Sequence, residues 1–287
     1  MFDFRYHALS LAAVFIALII GLLLGVAIGD RELVSSARED LRNSLREDVR
    51  RAGQERDEAR AQLRDQEEFA AAAYPILTGG QLPGSRIGLV LLGDDDAAPD
   101  IIRNALEPTG ADLAFVAVVR ENVELPELAE AARGTRYADI EQDGSLLDDL
   151  GKRAAIQMVL GGRLVGQVRT SLLKSLSGSF GEVDGVVVLR PPDKPADEEA
   201  AERLADLQDG IARGLVQTGV RVVGVERRAS NPSSIGWFRD RELSSVDNID
   251  EIAGRAALVF VLAGNQGAYG RRDSAQALLP PVVGRAR

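Results

Sequence analysis

Cysteine is absent from this 287-residue sequence, histidine occurs once and methionine twice. Without cysteine the chain has no disulfide, no catalytic thiolate, and no thiolate ligand for zinc or an iron–sulfur cluster. The lone histidine is His7, so a Ser-His-Asp triad cannot be assembled in the rest of the chain. Soft metal ions prefer thiolate, thioether and imidazole ligands. We therefore expect no metal site and no cofactor.

Positive charge is also scarce. The sequence has 34 Lys and Arg residues against 44 Asp and Glu residues, which gives a formal net charge of −10. Phosphate binding needs a surplus of basic residues, so we expect no nucleic-acid partner. The hydrophobic share of 45% and the charged share of 27% are ordinary for a soluble protein with one membrane segment.

One long apolar run stands at the start of this otherwise acidic chain. Ala8–Gly29 contains no charged residue, and Ser10 is its one polar side chain. About 20 apolar residues span a bilayer as a helix. A cleaved secretory signal is the alternative, since Gly25-Val26-Ala27 resembles a cleavage site, although such signals have a shorter apolar region. We interpret residues 1–29 as a single membrane anchor in contact with the lipid bilayer.

Charge does not decide which side of the membrane holds the rest of the chain. Counting arginines on both sides of the run places the C-terminal part in the cytoplasm. A short N-terminal tail before a long apolar run is instead typical of an uncleaved signal that exports the C-terminal part. Both orientations stay open at this point.

Three glycines with a spacing of four residues predict a face for close helix packing in the membrane. Glycine is also common in membrane helices in general. These residues are Gly21, Gly25 and Gly29.

Residues 30–74 predict a long charged helix that continues from the anchor. This stretch has no proline before residue 75 and contains one glycine after residue 30, Gly53. Its apolar residues recur at spacings of three, four and seven, which predicts a coiled-coil seam in a parallel homodimer about 60 Å long. A solvated single helix is the alternative. We expect the glycine face and this seam to align the same two copies. The seam consists of Leu41, Leu45, Val49, Ala52, Ala59 and Leu63.

Residues 75–270 predict a doubly wound, mostly parallel α/β domain of about five strands, and residues 271–287 a C-terminal tail. Strands that are apolar on both faces and alternate with helices indicate a buried parallel sheet. The predicted strands are Arg86–Gly93, Leu113–Val119, Val183–Leu189, Val220–Val225 and Ala256–Ala263. The predicted helices are Pro99–Thr109, Ser145–Met158, Arg163–Leu176 and Asp197–Val216.

Two loops are candidate ligand or contact sites, because ligands bind at strand ends in such folds. The first contains Asp94, Asp95 and Asp96, which either hold Mg²⁺ or Ca²⁺ or form an acidic turn that caps the next helix. The second contains Gly264, Gly267, Tyr269 and Gly270, which either approach a small molecule or form a turn with positive φ angles.

One aromatic residue is a further candidate contact site, and no catalytic pair is found. Trp237 either makes an exposed contact or plugs the edge of the sheet. No nucleophile and base can be paired, so we predict a domain that is not an enzyme.

Several segments together resemble a known family. These are RYHALSLAAVFIALIIGLLLGVAIGD at Arg5–Asp30, the charged helix, and SSVDNIDEIAGRAALVFVLAG with GAYG at Ser244–Gly270. They are similar to the actinobacterial copper transport protein B family, which is named for a mycobacterial channel-forming outer-membrane protein. The resemblance implies copper transport or copper homeostasis and a C-terminal domain outside the cytoplasm.

Two hypotheses of function arise from these features. The first is a membrane-anchored, non-enzymatic envelope protein that is linked to copper homeostasis. The second is a dimeric coiled-coil scaffold for envelope assembly or septation, which acts through a partner protein at the septum. Deletion would raise cell copper under the first hypothesis and disturb cell shape under the second.

Overall fold

The computed structural model describes residues 4–192 and 195–281, without the side chains of residues 4, 5 and 28–38. The chain divides into two compact units, Met1–Glu68 and Phe69–Arg287. Each unit is described by itself.

One continuous helix, α1, spans Phe4–Thr78. It forms the first unit, and its last residues, from Phe69 onward, belong to the second unit. Tyr6–Ala27 is long and apolar enough to cross a membrane, and no other helix in the described residues meets that test. Charged pairs one turn apart, such as Arg51 with Glu47 at 3.4 Å, stabilise the polar part. The predicted apolar helix is confirmed.

The end of α1 lies in the second unit and contains Pro75. The helix continues to Thr78, four residues beyond the predicted end at Tyr74. The Thr78 hydroxyl donates to the Tyr74 carbonyl at 2.8 Å, and the Tyr74 hydroxyl donates to the Ala105 carbonyl at 2.7 Å. Burial raises the pKa of Tyr74 to about 12. This last turn is therefore anchored to the α/β domain by buried hydrogen bonds.

A seven-stranded sheet forms the centre of the second unit, in the order β3-β2-β1-β4-β5-β6-β7. All strand pairs are parallel except β2 with β3. The prediction of a mostly parallel sheet is confirmed. The strands are β1 (Arg86–Leu91), β2 (Asp112–Val119), β3 (Leu173–Gly178), β4 (Gly185–Leu189), β5 (Arg221–Val225), β6 (Ser244–Val246) and β7 (Ala268–Tyr269).

Helices cover both faces of this sheet, so the central strands are buried on both sides. One face packs on α3 (Leu125–Ala131), α4 (Leu146–Leu160), α5 (Arg163–Leu172), α6 (Glu198–Gln217) and α7 (Ile235–Arg239). The other face packs on α2 (Ala98–Leu106) and α8 (Ile252–Leu262). A short 3₁₀ helix, Glu107–Thr109, follows α2.

The predicted strand at Ala256–Ala263 is wrong, since these residues belong to helix α8 and to its C-cap, Ala263. Nearly every residue of α8 from Ala256 onward is buried, because the helix packs between the sheet on one side and Tyr74 on the other. A helix that is buried all round has no polar stripe, so its sequence cannot be told from that of a buried strand.

The predicted number of about five strands is also corrected. The predicted helix Arg163–Leu176 ends at Leu172, and β3 begins at the next residue as the antiparallel edge strand. The strands β6 and β7 contain three and two residues, too few to show a repeat in the sequence. Three strands are thus added, and the one at Ala256–Ala263 is removed.

Candidate functional site

The carboxyl ends of the parallel strands are the first place to look for a site. In doubly wound sheets, ligands bind where the strand order reverses, which here lies between β1 and β4. The acidic loop at residues 94–96 follows β1 at this edge. Its three carboxylates have different surroundings.

Asp95 is engaged within the protein. Its Oδ1 accepts hydrogen bonds from the backbone amides of Ala97 and Ala98, both at 3.0 Å, just before α2. The same oxygen lies 3.2 Å from Nη1 of Arg227, the second residue after β5. Asp95 therefore caps the helix start and joins two loops of the carboxyl edge.

Asp94 and Asp96 are exposed. The Lys174 ammonium donates to Asp94, and this hydrogen bond raises the pKa of Lys174. Among the residues that the structure describes, no three His, Asp or Glu side chains are grouped to hold a metal ion. Asp95 thus contributes a helix cap and an ion pair, and Asp94 contributes an ion pair with Lys174.

Glu226 is a further carboxylate at the carboxyl edge of the sheet, and it is completely buried. It follows β5 directly and forms an ion pair with Arg272. Its Oε2 accepts from the Ser234 amide at 2.7 Å and from the Ser233 hydroxyl at 2.9 Å. A buried carboxylate is costly unless it is paired and hydrogen-bonded, and Glu226 is both.

Asp247, which follows β6, is bound by the backbone that follows β7. Its two carboxylate oxygens accept from the amides of Arg271 and Arg272 at 2.8 and 3.0 Å. A Cβ on Gly270 would lie 2.2 Å from this carboxylate. Gly270 is therefore required by close packing at the carboxyl edge. Asp247 and Gly270 both belong to Ser244–Gly270, the stretch that carries part of the family resemblance.

Sequence reasoning missed Glu226 and Asp247 as partners. The available signal was a charged residue directly after each of two short strands. Their arginine and amide partners are up to 46 residues away in the sequence, so only the fold joins them.

The glycine loop lies mostly at the opposite edge of the sheet. Gly264 and Gly267 precede β7, and β7 is parallel to β6, so both glycines lie at the amino ends of the strands. Gly270 follows β7 at the carboxyl edge. The Tyr269 hydroxyl donates to the Gln266 carbonyl at 2.8 Å, and Tyr269 is buried. The structure therefore does not bring the aspartate loop and the glycine loop into one pocket.

Trp237 belongs to α7 and packs on the core as a partly buried residue. The guanidinium carbons of Arg241 and Arg190 lie 3.9 and 5.3 Å from its ring centroid. Its ring also meets Phe238 edge to face at 5.4 Å. These contacts agree with a plug against the sheet.

The seam residues of α1 lie exposed on one side of the helix. The large ones have exposed fractions from 54% to 72%, and the two alanines are exposed as well. Within the first unit these side chains are exposed to solvent. They are Leu41, Leu45, Val49, Ala52, Ala59 and Leu63.

The predicted glycine face lies in the same helix, before the seam. No atom lies within 4 Å of a Cβ built on Gly21 or Gly25, whereas Gly29 falls in the stretch without described side chains. That the glycines and the seam align the same two copies stays a prediction.

An apolar helix that can span a bilayer and an α/β domain with a doubly wound sheet together fit a membrane-anchored protein. The chain belongs to the family described as copper transport outer membrane protein, MctB, whose model matches residues 1–280. This match confirms the family that the sequence resembles. Among curated proteins, none matches the chain.

Proposed function

We propose that this protein supports copper homeostasis in the cell envelope as an anchored, non-enzymatic protein that does not conduct copper through its own chain. The family description carries the link to copper. The observation that carries the mechanism is the apolar helix Tyr6–Ala27, the one helix in the described residues that can span a membrane. A single helix bonds its own backbone and encloses no channel.

The residue types support the same proposal. With no cysteine, one histidine and two methionines, the chain offers few ligands that copper prefers. At the carboxyl edge, Glu226 and Asp247 are already bound by Arg272 and by backbone amides. We infer that the α/β domain acts by binding other molecules and not by a chemical reaction of its own.

Anchoring is expected to be required for copper control. A deletion strain should accumulate copper, and the wild-type chain should restore the low level. A chain with Leu18→Arg and Ile19→Arg should leave copper at the level of the deletion strain, because each arginine costs about 2.5–3.5 kcal/mol at the centre of a membrane helix. The measurement is cell copper by elemental analysis.

Leu18→Ile with Ile19→Leu is the matched control and should restore low copper fully. Purified full-length protein in a planar bilayer should show no ion conductance. Steady channel currents from the purified chain, or full complementation by the double-arginine variant, would contradict the proposal.

A second candidate function is a dimeric scaffold for envelope assembly, which acts through a partner protein. It is favoured by the exposed seam of α1, where four large apolar side chains share one side of a charged helix. Two copies anchored in the same membrane with the same orientation pair in parallel. A narrow apolar stripe is stabilised mainly by such pairing.

Parallel pairing of α1 can be tested with single cysteines, because the natural chain contains none. Leu45→Cys is expected to form a disulfide-linked dimer in membranes under mild oxidation, since seam positions of two parallel helices approach within disulfide distance. Glu47→Cys should not, because two residues turn it to the other side of the helix. The measurement is the dimer band on a non-reducing gel.

Equal cross-linking of the two variants would mean random collision, and none in either variant would mean unpaired helices. Each result would contradict the dimer. Septal localisation of a fluorescent fusion would then separate a partner-dependent scaffold from a copper function.

A further inference from the structure

A cleft of about 600 Å³ lies at the amino ends of β5, β6 and β7. It contains Gly264 and Gly267 of the glycine loop and lies at the edge of the sheet opposite to the buried ion pairs. Small-molecule sites have volumes of about 300–1,000 Å³, so this cleft has the size of such a site.

One residue of this cleft, Ser245, carries a buried hydroxyl without a partner among the described residues. Ser245 is 1% exposed, and its Oγ has no hydrogen-bond partner among the described residues. The neighbouring hydroxyl, Oγ of Ser244, accepts from the Gly267 amide at 3.1 Å. A buried polar group without a partner costs about 1–3 kcal/mol, so the hydrogen bonding of the protein beside the cleft is incomplete.

The cleft also presents one charge of each sign that the described residues do not pair. Nη1 of Arg221 donates to the Leu262 carbonyl at 3.1 Å, but Arg221 has no carboxylate partner in the described ranges. Glu242 is exposed in the same cleft and adopts a left-handed φ of 57°. Such a backbone is costly for a residue with a side chain and is common at functional sites.

The glycine loop keeps the cleft open beside Arg221. A Cβ on Gly264 would lie 3.4 Å from Nη2 of Arg221, and Gly264 has a φ of 128°. Any side chain here would be strained by this φ angle and would contact the guanidinium group. The loop therefore leaves donors of Arg221 accessible to a molecule in the cleft.

We propose that this cleft binds a small organic anion that carries both a carboxylate and hydroxyl groups, a hydroxy acid. Arg221 pairs with the carboxylate, because guanidinium donors match carboxylate oxygens. Glu242 accepts from a ligand hydroxyl. This site goes beyond the proposed copper function, which requires no small ligand.

The test uses the full chain in detergent, with malate, citrate and gluconate as probes and isothermal titration calorimetry as the measurement. At least one hydroxy acid should bind saturably, and Arg221→Ala should weaken its binding by about tenfold or more, as expected for a charged hydrogen-bonding group. Arg163→Ala, which removes an exposed arginine outside the cleft, is the control and should bind like the wild type.

Three results would overturn the proposal. They are no binding of any of the three acids, binding that Arg221→Ala leaves unchanged, and equal binding of the uncharged polyol sorbitol.

Discussion

Replacing Glu226 with alanine is expected to lower the free energy of unfolding of the α/β domain by about 3–5 kcal/mol. Glu226 is fully buried, and its removal leaves Arg272 without its carboxylate partner. The Ser234 amide also loses the acceptor that it now reaches at 2.7 Å. Breaking a buried pair from one side is costly because the remaining charge and donor cannot recover their hydration.

The measurement is urea unfolding of the full chain in detergent, followed by the fluorescence of Trp237, the single tryptophan. Asp96→Ala is the control, because Asp96 is an exposed acid of the same edge. It should change the free energy of unfolding by less than about 0.5 kcal/mol. A similar small effect of Glu226→Ala would show that the buried network does not stabilise the carboxyl edge.

Substituting Gly210 with alanine is expected to destabilise the domain by about 3 kcal/mol, through the contact between α4 and α6. A Cβ on Gly210 would lie 2.0 Å from the backbone oxygen of Asp148. Because the obstacle is backbone, no side-chain rotation relieves it. Gly214 makes a similar approach to the oxygen of Lys152, at 2.3 Å. The two helices would have to separate and lose close packing along their length.

Gly166→Ala in α5 is the matched control. It is also a helical glycine, but no atom lies within 4 Å of its Cβ position. Alanine is a better helix former, so this change should stabilise the domain by about 0.5–1 kcal/mol. The same urea titration measures both variants, and shifts of equal sign would contradict close packing between α4 and α6.

Elements with a distinct local pattern were predictable. Ala8–Gly29 is longer and more apolar than a surface helix allows, so its helix needed no tertiary information. Arg86–Gly93 and Val183–Leu189 are short apolar runs between helices, which indicates buried parallel strands, and they appear as β1 and β4. In these segments the local pattern and the final environment agree.

Elements whose environment comes from distant residues were not predictable. Helix α8 resembles a strand in sequence because it is buried on all sides, against the sheet and against Tyr74. Strand β3 is half exposed at the edge of the sheet, so its residues LKSLSG lack a clear alternation. Whether these two segments form a helix or a strand depends on packing against residues that are distant in the sequence.

The candidate sites follow the same division. The sequence by itself determined which metal ligands are scarce. A chain without cysteine and with one histidine contains few soft ligands, whatever its fold. The sequence also determined the apolar span and the family. Only the tertiary structure decided that Gly264 and Gly267 lie at the edge opposite to the acidic loop, that Glu226 is buried against Arg272, and that Ser245 has no hydrogen-bond partner in the described part of the chain. The physical reason is that residue type sets which bonds a group can make, whereas burial and partners arise from packing between segments far apart in the chain.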